Sequence, residues 1–100
     1  MSTRPAPVKT VRAARDLGDH LRSWRKLQGF TIEQVAERSG TTRNTVSRLE
    51  HGELTVGLDV FLNVARALGQ LDRIVLAADP YESDLGRARA DLNLPQRVRS

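Results

Sequence analysis

Residues 31–52 read TIEQVAERSGTTRNTVSRLEHG, and the way this stretch is punctuated decides the fold. Thr31 has the chemistry of a helix N-cap. Gln34, three residues on, completes a capping box in which each side chain satisfies the other residue's backbone N–H. Phe30 before the cap and Val35 after it form a hydrophobic-staple pair. Ile32 or Val35, then Ala36, make the inward face. Gly40 ends the helix by supplying the positive φ that the turn needs. A second helix starts after Thr41 with Thr42 as N-cap, carries a narrow apolar stripe of Val46 and Leu49, and stops at Gly52. Small residue, glycine, apolar, apolar at these separations predicts two short helices packed closely across a tight turn, the helix-turn-helix pattern.

Outward from this centre, the chain reads as helices throughout. Leu17, Leu21, Trp24 and Leu27 recur at the three-four spacing of one helical face. They predict a first helix from about Val11 or Ala13 to Gln28, stopped by Gly29, with Trp24 in the core. Beyond the central pair, Leu58, Phe61, Leu62, Ala65 and Leu68 define one face of a helix over residues 58–68, and Gly69 ends it. A short helix follows over residues 71–77, and Pro80 prevents much continuation. Residues 1–10, MSTRPAPVKT, hold two prolines and two basic residues without periodicity and read as a flexible basic arm. Such an arm suits either a groove contact on DNA or a plain unstructured terminus. Residues 81–100 form a basic tail with scattered leucines and room for a short helix over 84–92. The expected division is thus an arm (1–10), a domain (11–80, with its central pair at 31–52) and a tail (81–100).

Composition narrows the class of partner. The 100 residues carry a net charge of +4, with only four aromatic side chains and no cysteine. A core of Leu, Val and Ala suits packed helices. The basic balance favours a polyanion, nucleic acid before an anionic membrane surface. Arginine supplies most of the positive charge, and its planar fork suits guanine and phosphate. Without cysteine there is neither a disulfide framework nor a thiolate metal site, which fits a reducing cytoplasm. His20 and His51 are far apart and lack ligand spacing, so neither a metal nor a cofactor is expected. No acid pair faces a nucleophile and no phosphate loop is present, so the chain does not read as an enzyme. The first residues contain no apolar run of signal-peptide type. The longest apolar stretch, residues 74–78, is far too short to cross a bilayer.

The outward face of the second central helix carries the functional signal. At about 100° per residue, Val46 and Leu49 define the buried direction. Asn44, Ser47 and Arg48 then point roughly opposite, with Thr42, Arg43 and Thr45 at the N-terminal end. Asparagine can pair bidentately with adenine and arginine with guanine. Backbone N–H groups at the two helix starts can hold phosphates, and His51 at the helix end suits a phosphate contact. A merely solvated face would carry more Glu and Lys, whereas this one has no acid before Glu50.

The segment LRSWRKLQGFTIEQVAERSGTTRNTVSRLEHGE (21–53), followed by LDVFLNVARALG (58–69), resembles the Cro/phage-repressor-type (XRE) helix-turn-helix family. The likeness covers residues 17 to about 76. It implies an all-α fold: a compact five-helix phage-repressor-like DNA-binding domain. It implies base reading by Arg43, Asn44, Thr45 and Arg48, with Thr42 and Ser47 nearby on backbone or bases. It also implies a structural salt bridge between Arg25 and Glu50. One departure concerns the helix after Thr31, where the family often places a phosphate-touching Gln and this chain has Ile32. Thr31 or Gln34 is the substitute expected here.

The implied function is a sequence-specific transcriptional regulator, a homodimeric repressor on a palindromic double-stranded operator. The dimer would present its recognition helices one turn apart, about 34–36 Å. The fifth helix and the residues after it are the expected dimer surface. The tail DPYESDLGRARADLNLPQRVR (79–99) is similar to tails of HipB-like antitoxins, which implies a second possibility: an antitoxin that binds a kinase-like toxin and represses its own operon. No membrane partner is expected in either case.

Overall fold

The computed structural model describes residues 4–94, and all of its regular structure there is helical. Residues 1–3 of the expected arm and 95–100 of the expected tail, Pro95 among them, lie outside the described residues. The chain divides into two compact units, residues 1–70 and 71–100. The division falls between residues 70 and 71, so residues 71–77 group with those that follow them.

The first unit holds α1 (Val8–Leu27), α2 (Ile32–Ser39), α3 (Arg43–Glu50) and α4 (Leu58–Ala67). α1 begins earlier than expected, so Val8, Lys9 and Thr10 are helical and not part of an arm. The cause is Pro7. Its φ of −57° and ψ of 150° suit the residue before a helix, and its carbonyl accepts from Val11 N–H at 3.1 Å. A proline there breaks nothing, because the first helical donors have no partner within the helix.

Leu21, Val35, Ala36, Val46, Leu49, Val64 and Leu68 form the buried core, with Trp24, Phe30, Ile32, Val56, Val60 and Phe61 packed around it. Val35, Val46, Val64 and Leu68 are fully buried, each contributing about 1.5–3 kcal/mol by leaving water. α2 rests on α4 and α3, and α1 crosses α3. The expected apolar faces need correction at both outer helices. Leu17 and Leu27 are 45% and 77% exposed, and the inward side of α1 is Gly18, Leu21 and Arg25. On α4, Leu58 is exposed and Val64 takes the central core position.

The α1–α3 crossing explains the choice made on α1. A Cβ on Gly18 would lie 2.6 Å from the carbonyl oxygens of both Leu49 and Glu50. A Cβ on Gly52 would lie 2.7 Å from Arg15 Cα. Backbones this close leave no room for leucine. Two turns beyond Gly18, Arg25 Nε donates to Glu50 Oε2 at 2.7 Å, and Arg25 Nη2 donates to Glu50 Oε1 at 3.1 Å. Arg25 Nη1 also donates to the Phe30 carbonyl at 3.1 Å. Both partners are buried, and the two-pronged geometry with an extra acceptor is what a charge pair out of water requires. Among the described residues, no buried side-chain nitrogen or oxygen lacks a hydrogen-bond partner.

The second unit contains α5 (Leu71–Ala77), a 3-10 turn (Pro80–Glu82) and α6 (Asp84–Asn93). Among the described residues α6 is a sixth α-helix, lying outside the implied five-helix domain and where the tail left room for a short helix over 84–92. Ser83 caps it by accepting from Gly86 N–H at 2.9 Å and donates its own hydroxyl to the Pro80 carbonyl at 3.1 Å. Arg87 reaches back to the Tyr81 carbonyl at 2.6 Å, fastening the helix to the turn. Leu85, Leu92 and Leu94 are exposed. No described helix is long and apolar enough to cross a membrane.

Candidate nucleic-acid interface

Two local devices hold α2 and α3 in a fixed relation. Thr31 Oγ1 accepts from Gln34 N–H at 3.1 Å while Gln34 Oε1 accepts from Thr31 N–H at 2.8 Å, the full reciprocal capping box. At the other end Gly40 adopts φ 70°, and Thr41 N–H bonds back to the Ala36 carbonyl at 2.9 Å. Ala36 itself is buried where the helices meet. α3 then starts with Thr42 Oγ1 accepting from Thr45 N–H at 3.2 Å, and the two threonine hydroxyls lie 2.9 Å apart.

Val46, Leu49 and Glu50 are the buried side of α3. Thr42, Arg43 and Asn44 are exposed, and Thr45, Ser47 and Arg48 are half-exposed. Arg43, Asn44 and Ser47 line a shallow depression of about 260 Å³ together with Ile32. The residue that departs from the family pattern therefore forms part of the same surface, an apolar wall beside polar donors. Thr31 and Gln34 lie together in a neighbouring depression with Glu33 and Glu37. His51 is exposed at the end of α3 and donates Nδ1–H to the Ser47 carbonyl at 2.7 Å, a second donor there beside the His51 backbone N–H at 3.0 Å, which turns Nε2 away from that carbonyl.

Along α3 itself there is no acid before Glu50, but two acids from neighbouring elements reach its arginines. Glu33 of α2 lies 3.5 Å from Arg43, with both side chains about 70% exposed (68% and 73%). Such a pair is worth little and exchanges readily. Arg48 is held more closely: Nε donates to Glu53 Oε1 at 3.0 Å, and Nη2 donates to Thr55 Oγ1 at 2.8 Å. Sequence reasoning missed Glu53 and Thr55. The available signal was Gly52, whose reversal brings the next residues back over the last turn of α3. It also missed Arg38, whose guanidinium carbon stands 4.5 Å from the centre of the Phe30 ring and braces the entry to α2.

Among the described residues, no group of three or more His, Cys, Asp or Glu side chains is placed to hold a metal ion. The arrangement offers instead a capped, rigidly seated helix with Arg, Asn, Thr and Ser outward, and a second helix start beside it. That is the chemistry of base edges and phosphates.

Comparison with known proteins agrees with this geometry. Residues 16–78 match a family model described as a helix-turn-helix domain. The chain is similar to an uncharacterised HTH-type transcriptional regulator of Methanothermobacter thermautotrophicus, with 44% identity over 50 residues, or 50% of this chain and 72% of the relative. No solved structure matches the chain significantly. The matched segment takes in more than half of the chain and the whole of α2, the turn and α3, and the protein accordingly belongs to the helix-turn-helix domain family.

Proposed function

We propose that this DNA-binding transcriptional regulator acts as a sequence-specific repressor, binding a palindromic operator as a homodimer. Arg43, Asn44, Thr45 and Arg48 read bases, and Thr31, Gln34, Thr42, Ser47 and His51 hold the backbone. The observation that carries the reading is the division of α3 into two faces. Its inner side is locked by Val46, Leu49 and the Arg25–Glu50 pair, and its outer side presents Arg43 and Asn44 to solvent. Ile32 in the same depression supplies an apolar surface of the kind that receives a thymine methyl. One copy of an 11.1 kDa chain offers few contacts, and a two-fold pair doubles them over half-sites about 34–36 Å apart.

The test is titration of the full chain against its own upstream DNA and an unrelated duplex at near-physiological salt, with a footprint. A protected two-fold site bound at least ~1,000-fold more tightly than the unrelated duplex is the expected result. Equal, weak binding to both would refute sequence-specific autoregulation. A second role, that of an antitoxin, is favoured by one observation: Leu85 and Leu92 of α6 and Leu94 just after it are exposed, in a segment that also carries Arg87 and Arg89. It requires that a kinase-like partner co-purify with the chain and be lost on deletion of residues 81–100.

A further inference from the structure

The loop after α3 fixes the pose of one reading arginine. α3 ends in a Schellman motif: Gly52 N–H bonds to the Leu49 carbonyl at 2.9 Å, and Glu53 N–H bonds to the Arg48 carbonyl at 3.1 Å. Gly52 has φ 76°, and a Cβ there would collide with the α1 backbone at Arg15. The reversal is therefore clamped against α1 and cannot drift. It places Glu53 beside Arg48 twice over, through the backbone bond and through Arg48 Nε donating to Glu53 Oε1 at 3.0 Å. Thr55 adds the bond from Arg48 Nη2 at 2.8 Å.

Those two bonds occupy one edge of the guanidinium, the Nε–Nη2 side. An arginine has five donors in a rigid plane. The remaining end edge, Nη1 with the second N–H of Nη2, has no acceptor among the described residues. It is the edge that pairs with guanine O6 and N7. We infer that Glu53 and Thr55 are positioning residues that set the specificity of Arg48, gripping the side edge of its guanidinium so that the end edge is presented to a base. The inference rests on Arg48 reading a base. It differs from a mere charge effect. A carboxylate that only competed with DNA for Arg48 would weaken binding to every duplex alike, whereas a positioning carboxylate sharpens the choice at one base pair.

The experiment selects duplexes from a randomised pool with the full wild-type chain, then measures binding to the selected site and to each of its single-base variants. The variants are Arg48→Ala, Thr55→Val, Thr55→Ser and Glu53→Gln/Thr55→Val, each checked for thermal unfolding. Arg48→Ala and the double variant are expected to lose discrimination at the same base pair, by about fivefold or more, with preferences elsewhere retained. Thr55→Ser, which keeps the hydroxyl, retains the wild-type preference. Thr55→Val, which keeps the Glu53 charge, loses part of it and decides the matter if the double variant does not fold. The inference is overturned if Arg48→Ala loses the preference while the folded loop variants keep it, or if they bind all duplexes more tightly by a common factor. If Arg48→Ala leaves every preference intact, the base-reading role of Arg48 fails first, and the inference fails with it.

Discussion

Gly18→Ala sets helix propensity against packing, with opposite signs. Gly18 lies inside α1, where alanine is favoured over glycine by roughly 0.5–1 kcal/mol. On propensity alone the substitution stabilises. The crossing with α3 predicts the reverse, because the added carbon would sit 2.6 Å from the carbonyl oxygens of Leu49 and Glu50. Both obstacles are backbone atoms, so no rotamer change relieves them. The Leu49 carbonyl also accepts from Gly52 N–H, so moving it disturbs the end of α3. Overpacking of this kind costs about 1–3 kcal/mol or more, leaving a net loss of about 1–2 kcal/mol after the propensity gain. With a urea m-value of about 1 kcal/mol/M for a small chain, the unfolding midpoint should fall by about 1–2 M. Ala13→Gly, at an exposed site of the same helix, calibrates propensity and should cost up to about 1 kcal/mol. A Gly18→Ala chain as stable as the parent, or more stable, would refute the close crossing.

Other expectations concern the pair, the interhelical contact and the cap. Glu50→Ala strands the buried Arg25 guanidinium and should destabilise by about 3–5 kcal/mol, whereas Arg25→Met with Glu50→Leu should lose far less; urea unfolding of the three chains compares them. Ala36→Leu forces a larger side chain between α2 and its neighbours and should cost about 1–3 kcal/mol, seen as a lowered melting temperature together with lost DNA binding. Thr31→Ala removes half of the capping box and should cost about 0.5–2 kcal/mol of stability, while the base preferences found by duplex selection stay those of the parent.

What the sequence discloses about this fold is what local chemistry controls. Thr31, Gln34, Gly40 and Thr42 could be read because a cap or a left-handed stop is decided within a few residues. Val46 and Leu49 could be read because a short stripe leaves one orientation open. Most of the failures share a cause, which is that long-range packing chose against the local pattern. Leucines at 17 and 27 keep the three-four spacing yet stay exposed, because the contact face of α1 is built from glycine and arginine. Hydrophobic periodicity does not register a glycine chosen for close approach, nor an arginine buried against Glu50. The grip of Glu53 and Thr55 on Arg48 was hidden for a similar reason, since those residues lie five and seven positions away and meet only after the chain reverses at Gly52. At Val8, Lys9 and Thr10, two nearby prolines suggested an arm, but Pro7 is well placed to precede a helix.

The seating of α3 separates what can be rewritten from what must stay. Val46, Leu49 and Glu50 face inward, and Thr42 spends its hydroxyl on the cap. Arg43 and Asn44 contribute nothing to the core, and Arg43 has only a loose surface partner. The helix is a mounting plate whose fixings and lettering occupy different sides. On the proposed reading, in which the outward residues of α3 contact bases, new operators would be acquired by exchanging those residues while the scaffold is left alone. Position 48 is the exception, since a replacement there must also suit the loop that grips it.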